Sequence, residues 1–162
     1  MKRLFLIRHA KSSWDDPELP DRQRPLNDRG RRDAPMIAGR LARREVKPDL
    51  ILSSPALRAL TTAKIIAGKL DYKRKHIVVD DRLYAAEADD LLELIHELGD
   101  PLRCVMIVGH NPELSELAQR LCDAIGHLPT CAVAEFAFAT KSWSDIGSCP
   151  PATVAFDYPK KS

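Results

Sequence analysis

Short runs of consecutive apolar residues recur along the chain: Leu4-Phe5-Leu6-Ile7, Leu50-Ile51-Leu52, Ile77-Val78-Val79 within a candidate strand that starts at His76, and Cys104-Val105-Met106-Ile107-Val108. Runs without polar alternation predict strands buried on both faces, as in a parallel sheet covered by helices. Between and after them the period changes to that of a helix. Ala34, Ile37, Ala38, Leu41 and Ala42 form one stripe; Ala56, Ala59, Leu60, Ala63, Ile66, Ala67 and Leu70 form a second. Leu91, Leu92, Ile95 and Leu98 form a third, and Leu114, Leu117, Ala118, Leu121, Cys122 and Ile125 a fourth.

Punctuation sharpens these boundaries. Asn27 or Asp28 is positioned to cap the first helix; Pro35 should kink it or mark its first turn, with Asp33 as the alternative cap. Ser54 before Pro55, and Asn111 before Pro112, predict two helices that each start with a cap and a proline at the first helical position. Asp89 is the expected cap of the third helix, Gly99 and Pro101 its stop, and Gly126 the stop of the fourth. Residues 131–139 and 152–158 read as two strands pairing antiparallel at one sheet edge. Residues 15–27, rich in Asp, Pro and Arg, form a long surface loop. The whole is an α/β chain: a three-layer sandwich with a mainly parallel central sheet, helices on both faces and an antiparallel edge, expected to be one domain over residues 1–162.

Composition narrows the function classes. With 44% hydrophobic and 30% charged residues the chain is of ordinary globular type, and a net charge of +2 gives no reason to expect nucleic acid or a membrane as partner. No apolar run approaches a membrane span. Only four apolar residues separate Lys2-Arg3 from Arg8, too few for the core of a secretory leader, so a cytoplasmic protein is expected, and a monomer. Cys104, Cys122, Cys131 and Cys149 lack the spacing of a zinc or redox motif and read as reduced structural thiols.

Parallel strands deliver whatever follows them to one rim of the sheet. Arg8-His9, Ser53-Ser54 and Gly109-His110-Asn111 should therefore converge, with the helices after Pro55 and Pro112 aiming free N–H groups at the same place. Arg58 lies off its helix's apolar stripe and by itself reads as a solvated surface arginine. Two histidines, an arginine and two helix starts make a site for a dianion, with phosphate the obvious candidate.

Arg8-His9-Ala10, Arg24-Pro25-Leu26 before Gly30, Ser54-Pro55 with Arg58 and Thr61, and Gly109-His110-Asn111-Pro112 together resemble the histidine phosphatase superfamily, of the phosphoglycerate mutase-like fold. Within it the short chain resembles the SixA branch of phosphohistidine phosphatases. The resemblance implies that His9 is the nucleophile, that Arg8, Arg58 and His110 bind the phosphoryl group, with Arg24 added from the SixA-like arrangement, and that no metal or other cofactor is needed. His110 would help most when protonated, which phosphate charge favours. Ala10 stands where the family more often has glycine, a mild departure. Many members also carry a glutamate as general acid after the third strand. Glu87 is the best match here, though it reads more readily as a solvated loop carboxylate.

Substrate follows from that acid. An alkoxide leaving from an ester needs a proton, whereas phosphohistidine leaves as neutral imidazole once its ring is protonated. A site without a dedicated acid suits phosphohistidine on a signalling or phosphotransfer protein, and SixA-like members are thought to lack that acid. The alternatives are a small phosphomonoester as substrate, or a non-catalytic phosphate-binding module. A two-histidine metal site is disfavoured by the nearby arginines, and a dinucleotide site by the missing glycine fingerprint.

Overall fold

A computed structural model describes residues 1–161. Its strands are β1 (Lys2–Arg8), β2 (Leu50–Ser53), β3 (Val78–Val79), β4 (Cys104–Gly109), β5 (Val133–Phe138) and β6 (Thr153–Asp157). The helices are α1 (Asp28–Arg43), α2 (Leu57–Lys69), α3 (Ala88–His96) and α4 (Glu113–Leu121). The sheet order is β3-β2-β4-β1-β5-β6. Its first four members run parallel, and β5 and β6 pair antiparallel to their neighbours.

β1 shows why the sandwich has three layers. Leu4 and Leu6 pack with the apolar faces of α3 and α4, whereas Phe5 and Ile7 pack with those of α1 and α2. Alternate side chains of one strand thus feed two cores, and each fully buried side chain of this kind contributes on the order of 1.5–3 kcal/mol. None of the helices among the described residues is long and apolar enough to cross a membrane.

Several boundaries differ from the expectation. Ser54 does not cap α2: the N-cap is Ala56, and the Ser54 hydroxyl accepts from the Ala56 amide at 3.2 Å one step outside the helix. α4 likewise begins after Pro112, with Asn111 Oδ1 accepting from the Ser115 amide and hydroxyl at 3.2 and 2.8 Å. That helix stops at Leu121 rather than Ile125, because Cys122 turns to extended backbone. α3 is capped at Glu87, whose amide donates to Asp90 Oδ2 at 2.9 Å, while Asp89 is exposed and paired with Arg120. His76 belongs to a 3-10 turn, which leaves β3 only two residues long and exposed. α1 starts behind Asn27 and runs unbroken through Pro35, with Asp33 paired to Arg29 instead of capping.

The loop from Ser12 to Leu26 closes on itself. Ser12 bridges Leu26, and the Ser13 amide donates to the Pro25 carbonyl at 2.8 Å. α1 then presses against its base: a Cβ on Gly30 would stand 2.1 Å from the Lys11 carbonyl oxygen, so the approach requires glycine. This contact seats the loop over the parallel-strand rim.

Candidate active site

Register places the functional side chains. Arg8 lies opposite Gly109, the His9 amide donates to the Gly109 carbonyl at 3.0 Å, and the Ser54 amide donates to the Val108 carbonyl at 3.0 Å. His9, Ser54 and His110 therefore stand at the ends of three adjacent strands. The His9 and His110 rings are 5.1 Å apart between centroids. Ser53 does not join them, because it is fully buried with its hydroxyl donating to the Ser54 carbonyl.

His9 Nδ1 lies 2.7 Å from the Ala10 carbonyl oxygen. A carbonyl only accepts, so Nδ1 carries the proton and Nε2 of the neutral ring keeps its lone pair. Burial, with smaller contributions from His110, Arg58 and Arg8, pushes the ring's pKa down to about 3 against a weaker opposing effect of the Ala10 hydrogen bond. His9 is neutral at pH 7 without help from a base. Burial and Arg58 likewise push His110 down to about 4, so the free protein carries it neutral; protonation would have to come with a bound anion. His110 Nε2 is 2.8 Å from the Ser54 hydroxyl, and its Nδ1 is buried with no hydrogen-bond partner among the described residues. Arg8 Nε is in the same state, with Nη1 held by the Leu128 carbonyl at 3.1 Å. An unpaired buried donor such as Arg8 Nε is costly and points to a missing acceptor.

Arg58 is not a solvated surface residue. It is 7% exposed, and its terminal nitrogens donate to the Asp21 carbonyl at 2.7 Å and to Asp21 Oδ2 at 2.9 Å. Arg24, equally buried, donates to Ser13 O, Asp21 Oδ1 and Ser12 Oγ at 3.0, 3.0 and 2.5 Å and lies 3.3 Å over the Trp14 ring. Trp14 is 71% exposed at the mouth of the cleft. The cleft, about 590 Å³, brings together all the expected site residues: Arg8, His9, Arg24, Arg58, Glu87 and His110. Glu87 stands exposed on its rim.

Three lining residues escaped the sequence reading. Asp21 comes from the loop that has no apolar period, and nothing in its spacing marks it. Tyr84 donates to Asp21 Oδ2 at 2.6 Å and meets His110 edge-on at 5.7 Å. Hydrogen bonds from Tyr84, Arg58 and Arg24 hold the Asp21 carboxyl well below the usual carboxylate range despite some desolvation. Glu113 is 4% exposed in the wall, and burial pushes its pKa up. Among the described residues no group of three or more His, Cys, Asp or Glu side chains is placed to hold a metal ion.

A neutral histidine facing buried arginines at the rim of the parallel strands makes an arrangement able to receive an oxyanion. The chain belongs to the histidine phosphatase superfamily (branch 1), whose family model matches residues 4–100. A chloroplastic Arabidopsis thaliana protein of uncharacterised function is 34% identical, over 89% of this chain and 70% of its own. The crystal structure of a SixA protein from Agrobacterium tumefaciens, a proposed phosphohistidine phosphatase, is similar at 33% identity with a TM-score of 0.77, covering 83% of this chain and 90% of that one. A mycobacterial glucosyl-3-phosphoglycerate phosphatase shares the fold at 18% identity and a TM-score of 0.65, over 98% of both chains.

Proposed function

We propose that the chain is a phosphatase that works through a covalent phosphoryl intermediate on His9, and that its substrate is phosphohistidine on a signalling or phosphotransfer protein. The observation that carries this reading is the His9 ring, neutral and fixed by Ala10 so that Nε2 is free to attack. The Nε2 lone pair forms the new N–P bond while the P–N bond of the substrate's phosphohistidine, already protonated on its other ring nitrogen, breaks, the electron pair leaving with neutral imidazole. His9 becomes a phosphorylated imidazolium. Its Nδ1–H bond to the Ala10 carbonyl strengthens as that charge develops, which favours the transition state over the ground state. Water then attacks phosphorus, the His9 P–N bond breaks, and neutral imidazole is restored with release of inorganic phosphate.

Catalysis of this kind rests on positioned cations, because charge spreads over the equatorial oxygens. Arg8 Nε, and His110 Nδ1 once a bound phosphoryl group has drawn a proton onto that ring, would find in those oxygens an acceptor. Arg58 and Arg24 supply further positive charge. Glu87, exposed on the rim, is not required as an acid for an imidazole leaving group, and the open mouth suits a protein-borne phosphoryl group.

Purified wild type and His9→Ala are compared on a phosphohistidine protein, with sugar and nucleotide phosphates alongside. The expected result is fast turnover of the phosphoprotein, slow turnover of the esters, acid-labile phosphate trapped on wild type, and loss of nearly all turnover in the variant. Faster ester hydrolysis would make the protein a small-molecule phosphomonoesterase. Oxyanion binding without His9-dependent turnover would reduce it to a binding module.

A further inference from the structure

Asp21 joins three parts of the chain at one carboxylate. Oδ1 takes Arg24 Nη1, Oδ2 takes both Arg58 Nη2 and the Tyr84 hydroxyl, and the Asp21 backbone carbonyl takes Arg58 Nη1. The loop that carries Arg24, the helix that carries Arg58 and the segment after β3 that carries Tyr84 thus share a single acceptor. Arg24 and Arg58 are each 7% exposed, so two like charges are held together away from bulk water. Without an anion between them they would repel each other and give up ordered geometry for rotamer freedom. A bound phosphoryl group would supply such an anion only while substrate is present.

We propose that Asp21 is a positioning residue for the phosphoryl transfer: its carboxylate keeps the Arg58 and Arg24 guanidiniums aligned on the cleft before substrate arrives. The proposal rests on the reading of the cleft as a phosphoryl site. It separates Asp21 from a proton donor, since its three donors keep the group ionised. It also separates Asp21 from a competitor for the arginines. Each arginine retains N–H groups that Asp21 does not use, because a guanidinium has five. Arg8, which Asp21 does not touch, has one nitrogen on the Leu128 carbonyl and a buried Nε without a partner. Arg8 is held by its strand end, Arg58 by Asp21, and Arg24 by Asp21 together with Ser12, Ser13 and the Trp14 ring.

The test uses the full chain as wild type, Asp21→Ala and Asp21→Asn, with tungstate as an oxyanion probe that needs no knowledge of the substrate, and with kcat and KM measured on the phosphohistidine protein. Binding is read by calorimetry and by Trp14 fluorescence, the other tryptophan, Trp143, being fully buried. Asp21→Ala is expected to weaken tungstate binding about 10-fold and lower kcat by a further factor of about 10 or more beyond any rise in KM, because the arginines act on charge in the transition state. Asp21→Asn, which keeps the shape and one acceptor, should fall between. A thermal midpoint within a few degrees of wild type shows that the loss is one of alignment; a variant too unstable to assay is replaced by Asp21→Asn, which faces the same criterion. Tungstate bound as tightly or more tightly by Asp21→Ala, with kcat retained, overturns the proposal alone. A wild type that binds no oxyanion at all overturns the phosphoryl reading and this one together.

Discussion

The Thr62 hydroxyl accepts the Ala10 amide at 3.0 Å and donates to the Arg58 carbonyl at 2.8 Å. Thr62 is fully buried, so one side chain in α2 fixes the backbone beside His9 and the turn that carries Arg58. Replacing it by valine keeps the volume and removes both bonds. Thr62→Val should cost about 1–3 kcal/mol, the penalty of a buried N–H left without an acceptor. Urea unfolding checks this, and a midpoint equal to wild type would remove the tie from the account.

The two histidines make stability depend on pH. In the unfolded chain each takes up its proton near ~6.5, whereas in the fold they resist protonation down to about 3 for His9 and about 4 for His110. Below pH ~6.5 the unfolded state therefore binds protons that the folded state does not, and stability falls with pH, by up to about 1.4 kcal/mol per unit for each ring. The loss starts near ~6.5 and continues toward the folded values. Measured between pH ~6.5 and ~5, above the ordinary carboxylate range, the slope should shrink in His9→Asn by about half a proton at the upper end and nearly one at the lower. Identical slopes in the two proteins would contradict the burial of a neutral His9.

Gly30 is a packing requirement. Alanine there is favoured over glycine by up to about 1 kcal/mol as a helix former. Its Cβ would nevertheless collide with the Lys11 carbonyl, a backbone atom that moves only with the base of the loop. Overpacking of this kind costs about 1–3 kcal/mol, and the net expectation for Gly30→Ala is a less stable protein. Because Lys11 adjoins Ser12, which receives Arg24 Nη2, the shift should also appear in Trp14 emission. Unchanged stability together with unchanged emission would rule this out.

Glu87 gives a sharp kinetic test. A general acid contributes about 10²–10⁴-fold where it acts. With a phosphohistidine protein, Glu87→Gln should change kcat by less than about threefold. A drop of two orders of magnitude would make Glu87 the proton donor to the departing imidazole.

The central strands are legible in the sequence because β1 and β4 are buried on both faces, so their apolar runs end where the sheet ends and Arg8, His9 and His110 follow directly. Capping is less legible. Ser54 and Asn111 look like helix caps, yet the prolines after them precede the helices, and the two side chains serve His110 and Ser115 instead. Arg58 cannot be recognised as buried from its own helix, since the group that buries and pairs it lies 37 residues away in the loop. Asp21 and Tyr84 are equally silent: their partners are set by how the loop folds back over the rim, a long-range event that no local period records.

The Leu128 carbonyl accepts from Arg8 Nη1 at 3.1 Å and from Asn111 Nδ2 at 2.8 Å, so the ends of β1 and β4 are both fastened to one backbone oxygen in the α4–β5 connection. An oxygen of the main chain survives any substitution that keeps residue 128 seated. Insertion or deletion of one residue between Gly126 and Thr130 would carry it out of reach. This corner of the cleft is therefore indifferent to the spelling of the connection and strict about its length.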